Sequence, residues 1–210
     1  MKKFELTSEF ITNIFGAKLF RIKALVEFGN VKAGELGGYV EKEENLSQCG
    51  NAWVYGDARV YGDARVCGNA WVCDNARVYG DARVYDDARV CGNAWVYGDA
   101  RVYGDAEVYD NALVYGDAWV CGDARVYGDA DYATAKGFGS CFRTTTFFRL
   151  KNGRVGVKCG CFCGTLEEFR KKVMETHGES KTAEEYLMLA NLMEFKFAKK
   201  KVEEKSNGKI

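Results

Sequence analysis

GNAWVY-GDARVY-GDARVC-GNAWVC, residues 50–73, opens a six-residue repeat that runs to Tyr127 through 13 hexads without an insertion or deletion. The third position is always Ala, from Ala52 to Ala124, and the fifth is always Val, from Val54 to Val126. The first is Gly except at Asp74, Asp86 and Asp110; the second is Asp or Asn, and the sixth is Tyr or Cys. Residues two apart on a strand share a face, so Ala-x-Val predicts a short strand with Ala and Val inward and the residue between them outward. Gly followed by Asx is turn chemistry, because Gly accepts positive φ and Asx side chains bond the local backbone. So short a strand and turn make no hairpin sheet, but stacked coils bury every Ala and Val against their neighbours.

The pattern resembles the hexapeptide-repeat, left-handed parallel β-helix family over about 80 residues. It departs where Tyr or Cys follows Val, a position the family gives to a small residue. The resemblance implies an all-β solenoid with three hexads per coil, residues 18 apart in register, and a rod roughly 20 Å long at ~4.8 Å per coil. In that register Cys49 meets Cys67, Cys73 meets Cys91, and Trp53 meets Trp71, while Tyr61, Tyr79, Tyr97 and Tyr115 form one ladder. The resemblance also brings trimers, with solenoids side by side.

The flanks read differently. Residues 1–49 are expected to be an N-terminal β cap with a half-buried strand over Phe20, Ile22, Ala24, Val26 and Phe28, followed by a turn at Gly29-Asn30. The repeat unit occupies 50–133. Residues 134–210 predict a small C-terminal α+β domain: a hairpin about Lys151-Asn152-Gly153, then two helices. The capping boxes Thr165–Glu168 and Thr182–Glu185 open those helices, the second carrying Tyr186, Leu189, Met193 and Phe197. The segment 199–210 is expected to fray. GELGGYVEKEENLSQ, the VYGDAR hexads and GCFCGTLEEF together resemble hypothetical proteins carried by phages and prophages, which imply a context and no chemistry.

The chain is balanced, with 30 basic and 30 acidic side chains, but the repeat is acidic and the C-terminal part basic. An acidic rod is a poor ligand for nucleic acid. MKKFELTSEF has neither the apolar core nor the cleavage site of a signal peptide, and no apolar run is long enough to span a bilayer. Nine cysteines is an odd number. The expectation is a soluble cytoplasmic protein (host cytoplasm if phage-borne) with reduced thiols at Cys73 and Cys91 as elsewhere.

Catalytic chemistry finds little support. The best-known enzymes of the resembled family are acyltransferases with a histidine base on or beside the helix, and a carbonic-anhydrase-type metal site in the same fold needs several histidines, whereas here the single histidine, His177, lies outside the repeat. Cys159, Cys161, Cys163 and His177 are weak metal candidates: one strand would put the three sulfurs on one face about 7 Å apart, whereas structural zinc motifs bracket a turn. A Cys–His nucleophile pair among them lacks an orienting third group. The Asx column does not suit a Ca²⁺ β-roll, whose repeat has nine residues. No cofactor is expected. The leading reading is a non-catalytic binding protein that shows a protein partner its outward Trp53, Trp71, Trp95 and Trp119 and the Tyr61, Tyr79, Tyr97 and Tyr115 ladder. One concrete form is a phage-encoded inhibitor of a host or defence protein. The alternatives are an acyltransferase at a subunit interface and a protein that sequesters a small nucleotide between subunits.

Overall fold

The computed structural model describes residues 2–139 and 141–198. Strands β1 (Phe4–Thr12), β2 (Lys18–Ala24) and β3 (Leu36–Val40) form an antiparallel meander. Thirteen two-residue strands follow, from β4 (Trp53–Val54) to β16 (Arg125–Val126), one per hexad. They stack in parallel with residues 18 apart in register, as at Trp53↔Trp71 and Val96↔Val114, and so form the three faces of a β-solenoid. One face carries Arg59, Arg77, Trp95 and Leu113 outward and continues through β3 into the N-terminal meander. The second carries Trp53, Trp71, Arg89, Glu107 and Arg125, and the third Arg65, Arg83, Arg101 and Trp119.

The columns explain themselves. Every Ala and Val of the repeat is essentially inaccessible, so the core is as narrow as those two side chains allow. Amides of one coil donate to carbonyls of the next, as Trp53 N to Ala70 O (3.1 Å) and Tyr55 N to Val72 O (2.8 Å). The first position of the hexad takes positive φ, and a Cβ at Gly68 would stand 2.8 Å from Asp86 N. Asp74, Asp86 and Asp110 keep that conformation at φ of 60°, 59° and 54°, which a short Asx side chain tolerates. Two of them repay the strain locally: Asp74 and Asp86 accept the amides of Gly92 (2.9 Å) and Gly104 (3.3 Å) in the next coil. The second-position column corrects the expectation of local turn capping. Asn51, Asn69 and Asn93 bond instead to Asn69, Asp87 and Asn111 one coil on.

Both ends of the rod leave backbone groups that have no neighbouring coil. At the start, the carbonyls of Ala52, Ala58 and Ala64 are taken by Lys3 Nζ (2.9 Å), Tyr39 N (2.9 Å) and Asn45 Nδ2 (2.8 Å), one donor per face. Gly37 and Gly38 let β3 lie close on the first coil, where added Cβ atoms would stand 2.6 Å from Val54 O and from Ala58 O. At the far end, Leu113 N donates to Asp129 Oδ1 (3.2 Å) and Trp119 N to Thr146 Oγ1 (3.0 Å).

Thr146 belongs to a second sheet of four antiparallel strands, β17 (Tyr132–Phe138), β18 (Arg143–Arg149), β19 (Val155–Cys159) and β20 (Phe162–Thr165). The expected hairpin is its β18–β19 pair, and β17 and β20 are additions. Alternation gives the sheet two jobs. Phe148 joins the solenoid core, while Phe147 and Val157 pack under α1 (Leu166–His177) and α2 (Lys181–Phe197). Thr165 caps α1 with Glu168 as expected, but α2 starts earlier, at Ser180, whose hydroxyl accepts Ala183 N. The N-terminal strand also ends early, at Ala24, because the chain turns before the Phe28–Val31 bridge. The expectation of a frayed 199–210 lies outside the described residues.

Candidate functional site

The tyrosine ladder is present. Tyr61, Tyr79, Tyr97 and Tyr115 stand at one edge of the solenoid with ring centroids 4.9, 5.0 and 5.4 Å apart, the first three nearly parallel. Trp95 meets Tyr79 edge-on at 6.3 Å, and Tyr132 closes the ladder against Tyr115 at 6.3 Å. Burial pushes the hydroxyls of Tyr61 and Tyr79 up from their ordinary value, so these two stay neutral and protonated. Tyr115 is half exposed and the other three rings are partly buried, so the strip offers edges and hydroxyls more than faces.

The tryptophans do not form one surface. Trp53 is fully buried beneath the N-terminal meander, packed on Phe28 at 5.3 Å and Phe4 at 6.2 Å, and its indole N–H has no hydrogen-bond partner among the described residues. It therefore leaves the list of partner-facing residues: the cap needs a large apolar side chain on the first coil, and the outward slot supplies it. Trp71, Trp95 and Trp119 stand on three different faces. Each is covered by the arginine one coil away: Arg89 over Trp71 (5.2 Å), Arg77 over Trp95 (4.9 Å) and Arg101 over Trp119 (4.5 Å). The Arg–Trp mixture of the outward slot is thus cation–π stacking within the rod, each pair contributing about 0.5–1 kcal/mol at an exposed site.

The cysteines separate as well. Gly160 and Cys161 form a two-residue turn between β19 and β20, so Cys159, Cys161 and Cys163 do not alternate along one strand. Cys159 faces the helices, with Thr145 Oγ1 at 3.3 Å and Tyr186 Oη at 3.9 Å. Cys163 faces the solenoid. There a hydrogen bond from Cys121 holds its thiol at about 7, against the effect of burial and with help from Lys158. His177 ends α1 beside the Tyr186 ring, 5.9 Å away, and lines a cavity of about 250 Å³ with Cys141, Cys159 and Cys161. Among the described residues these sulfurs and His177 form no compact ligand group; the single such cluster is Cys73, Asp74 and Cys91. Its two sulfurs are bonded to each other, with Cα atoms 4.6 Å apart, which corrects the expectation of free thiols at that pair. Cys49 and Cys67, equally stacked by sequence, remain thiols.

Sequence reasoning missed the groups gathered where the third face ends. Lys136, Arg143 and Lys158 of the second sheet, Phe142 of the turn before β18 and Asp117 of the last coil surround Trp119 and a cavity of about 400 Å³. Lys136 pairs with Asp117, whose carboxyl is thereby held below the ordinary range. The available signal was the placement of Lys158 in Val157-Lys158-Cys159, a lysine on an alternating strand whose partner strand carries Cys163 opposite.

No described helix is long and apolar enough to cross a membrane. Six segments, residues 52–68, 58–74, 70–86, 76–92, 82–98 and 106–122, match the family model described as the YdcK beta solenoid repeat. No curated protein matches the chain. Through these segments the chain is similar to YdcK-type proteins, and it is a β-solenoid repeat protein.

Proposed function

We propose that the protein is a non-catalytic binding scaffold whose partner site is the strip formed by Trp95 and the Tyr61, Tyr79, Tyr97 and Tyr115 ladder. The observation that carries this reading is the continuity of five aromatic side chains along one edge of a rigid rod, beside the Arg59, Arg77 and Leu113 slots of the adjoining face. Ordered aromatic edges beside arginine are the composition of energetically dominant interface patches. Self-stacking leaves little side-chain freedom to lose on binding, which lowers the entropic cost of association. The partner is a protein. The resemblance to phage- and prophage-borne chains favours a host or defence protein inhibited by capture. The same rod could trimerise through another face and leave this edge open.

Affinity capture from the source cell's lysate tests the reading, using wild type, Trp95→Ala/Tyr97→Ala, and Trp71→Ala as a control on another face. The strip reading expects the double variant to lose the specific partner and the control to keep it. Equal capture by all three chains overturns it.

A further inference from the structure

The cavity about Trp119 is separate from the tyrosine strip. The indole forms one wall and Phe142, with about two-thirds of its side chain exposed at φ 50°, stands at another. Three cations and one carboxylate line it, and the carboxylate of Asp117 is already paired with Lys136 at the rim. Two cations are left over. Lys158 is nine-tenths buried, yet among the described residues its ammonium has neither a carboxylate nor a hydrogen-bond partner; it rests 5.0 Å from the centre of the Trp119 ring. Arg143 likewise has no carboxylate partner among the described residues.

The buried stem of Lys158 thus carries an ammonium that opens on the cavity, beside the Cys163 thiol that it helps to lower, and a cation so placed gains from an anionic partner. Elsewhere in the chain the need is met: buried Lys3 has two backbone carbonyls. At Lys158 the space in front of the ammonium is open cavity. Its volume lies in the range of about 300–1,000 Å³ typical of small-molecule sites. Its chemistry is divided: apolar surface from Phe142 and the edge of Trp119, whose ring carries Arg101 and Lys158, and anion-seeking donors from Lys158 and the Arg143 fork.

We propose that this cavity binds a small aromatic anion of the nucleoside monophosphate class, with its ring against Phe142 and the free edge of Trp119 and its anionic group on Lys158 and Arg143. The site is complete within one chain and needs no subunit interface. It also ties ligand binding to the junction of the solenoid with the C-terminal sheet, because Trp119 belongs to the last coil and Lys158 to β19.

Titration of the full chain with N-methylanthraniloyl-AMP, read by energy transfer from tryptophan, tests the proposal. The expected result is saturable binding that AMP displaces well, while adenosine and inorganic phosphate each displace it at least tenfold less well. Lys158→Met and the exposed Arg143→Gln should each weaken binding tenfold or more, and Arg143→Gln keeps the test decisive if Lys158→Met fails to fold. Absence of saturable binding to wild type overturns the proposal. So does unchanged affinity in Arg143→Gln, or equal displacement by adenosine or by phosphate alone.

Discussion

The two ends of the solenoid solve one problem in opposite ways. Each must satisfy a ring of backbone groups and cover a tryptophan of the outward slot. At the N-terminal end, Lys3, Tyr39 and Asn45 each answer one alanine carbonyl, and Trp53 is sealed under Phe4 and Phe28. At the C-terminal end, Thr146 and Asp129 answer two of the amides, and Trp119 borders a cavity with Lys158 on its ring. The comparison teaches that an identical slot in an identical repeat is structural or available according to what is laid over it. The first end is closed; the second is built with room.

The largest expected difference between the ends follows from their tryptophans. Trp53→Ala empties a fully buried site and should cost about 3–5 kcal/mol, whereas Trp119→Ala should cost only about 1 kcal/mol, chiefly its stacking with Arg101. Urea unfolding of the two variants checks this, and equal losses would erase the distinction. Next comes the polar capping. Asn45→Ala leaves the Gly62 and Ala64 carbonyls without their donor and should cost about 2–3 kcal/mol by the same measurement. Thr146→Val at the other end removes one acceptor from a partly buried amide and should cost about 1 kcal/mol.

Most of the rod could be read from the sequence, because its two inward columns never vary and a strand period of two admits one inward set. The 18-residue register even held the answer to the tryptophans: Trp53 and Trp71 are 18 apart, but Trp71 and Trp95 are 24 apart, and Trp95 and Trp119 likewise. That spacing places Trp95 and Trp119 on successive further faces. What the spacing did not contain was the meander over Trp53, since β1 and β3 acquire their roles only by lying on the first coil. The cavity was hidden for the same reason. Lys158 and Trp119 are 39 residues apart, and nothing local announces that β19 lies across the last coil. The cysteine cluster misled because Gly160 turns the chain between Cys159 and Cys161.

A smaller effect distinguishes the ends by pH. Burial pushes Lys3 down to about 8 from an ordinary 10.5, so the unfolded chain holds that proton more tightly. The penalty is fully present below pH 8 and fades as pH rises toward 10.5, so the N-terminal end should gain stability across that window, on the order of 1 kcal/mol by pH 9.5. Comparing the melting temperatures of wild type and Lys3→Met at pH 7.5 and 9.5 isolates it; the variant should lack the rise. The smallest effect is chemical, at the other end. With its thiol held at about 7, Cys163 should be alkylated by iodoacetamide at pH 7.5 several-fold faster than the exposed Cys49. Peptide mapping after a short exposure reads the ratio, and equal rates would contradict the Cys121–Cys163 contact.

The central claim is that one end holds the fold together and the other holds a ligand. Its most direct test measures urea stability and N-methylanthraniloyl-AMP affinity on Trp53→Phe and Trp119→Phe side by side. A crossed result is expected: Trp53→Phe unfolds at lower urea and binds like wild type, while Trp119→Phe unfolds like wild type and loses energy transfer together with at least tenfold in affinity measured by fluorescence polarisation. Parallel behaviour of the two variants in both measurements would contradict it.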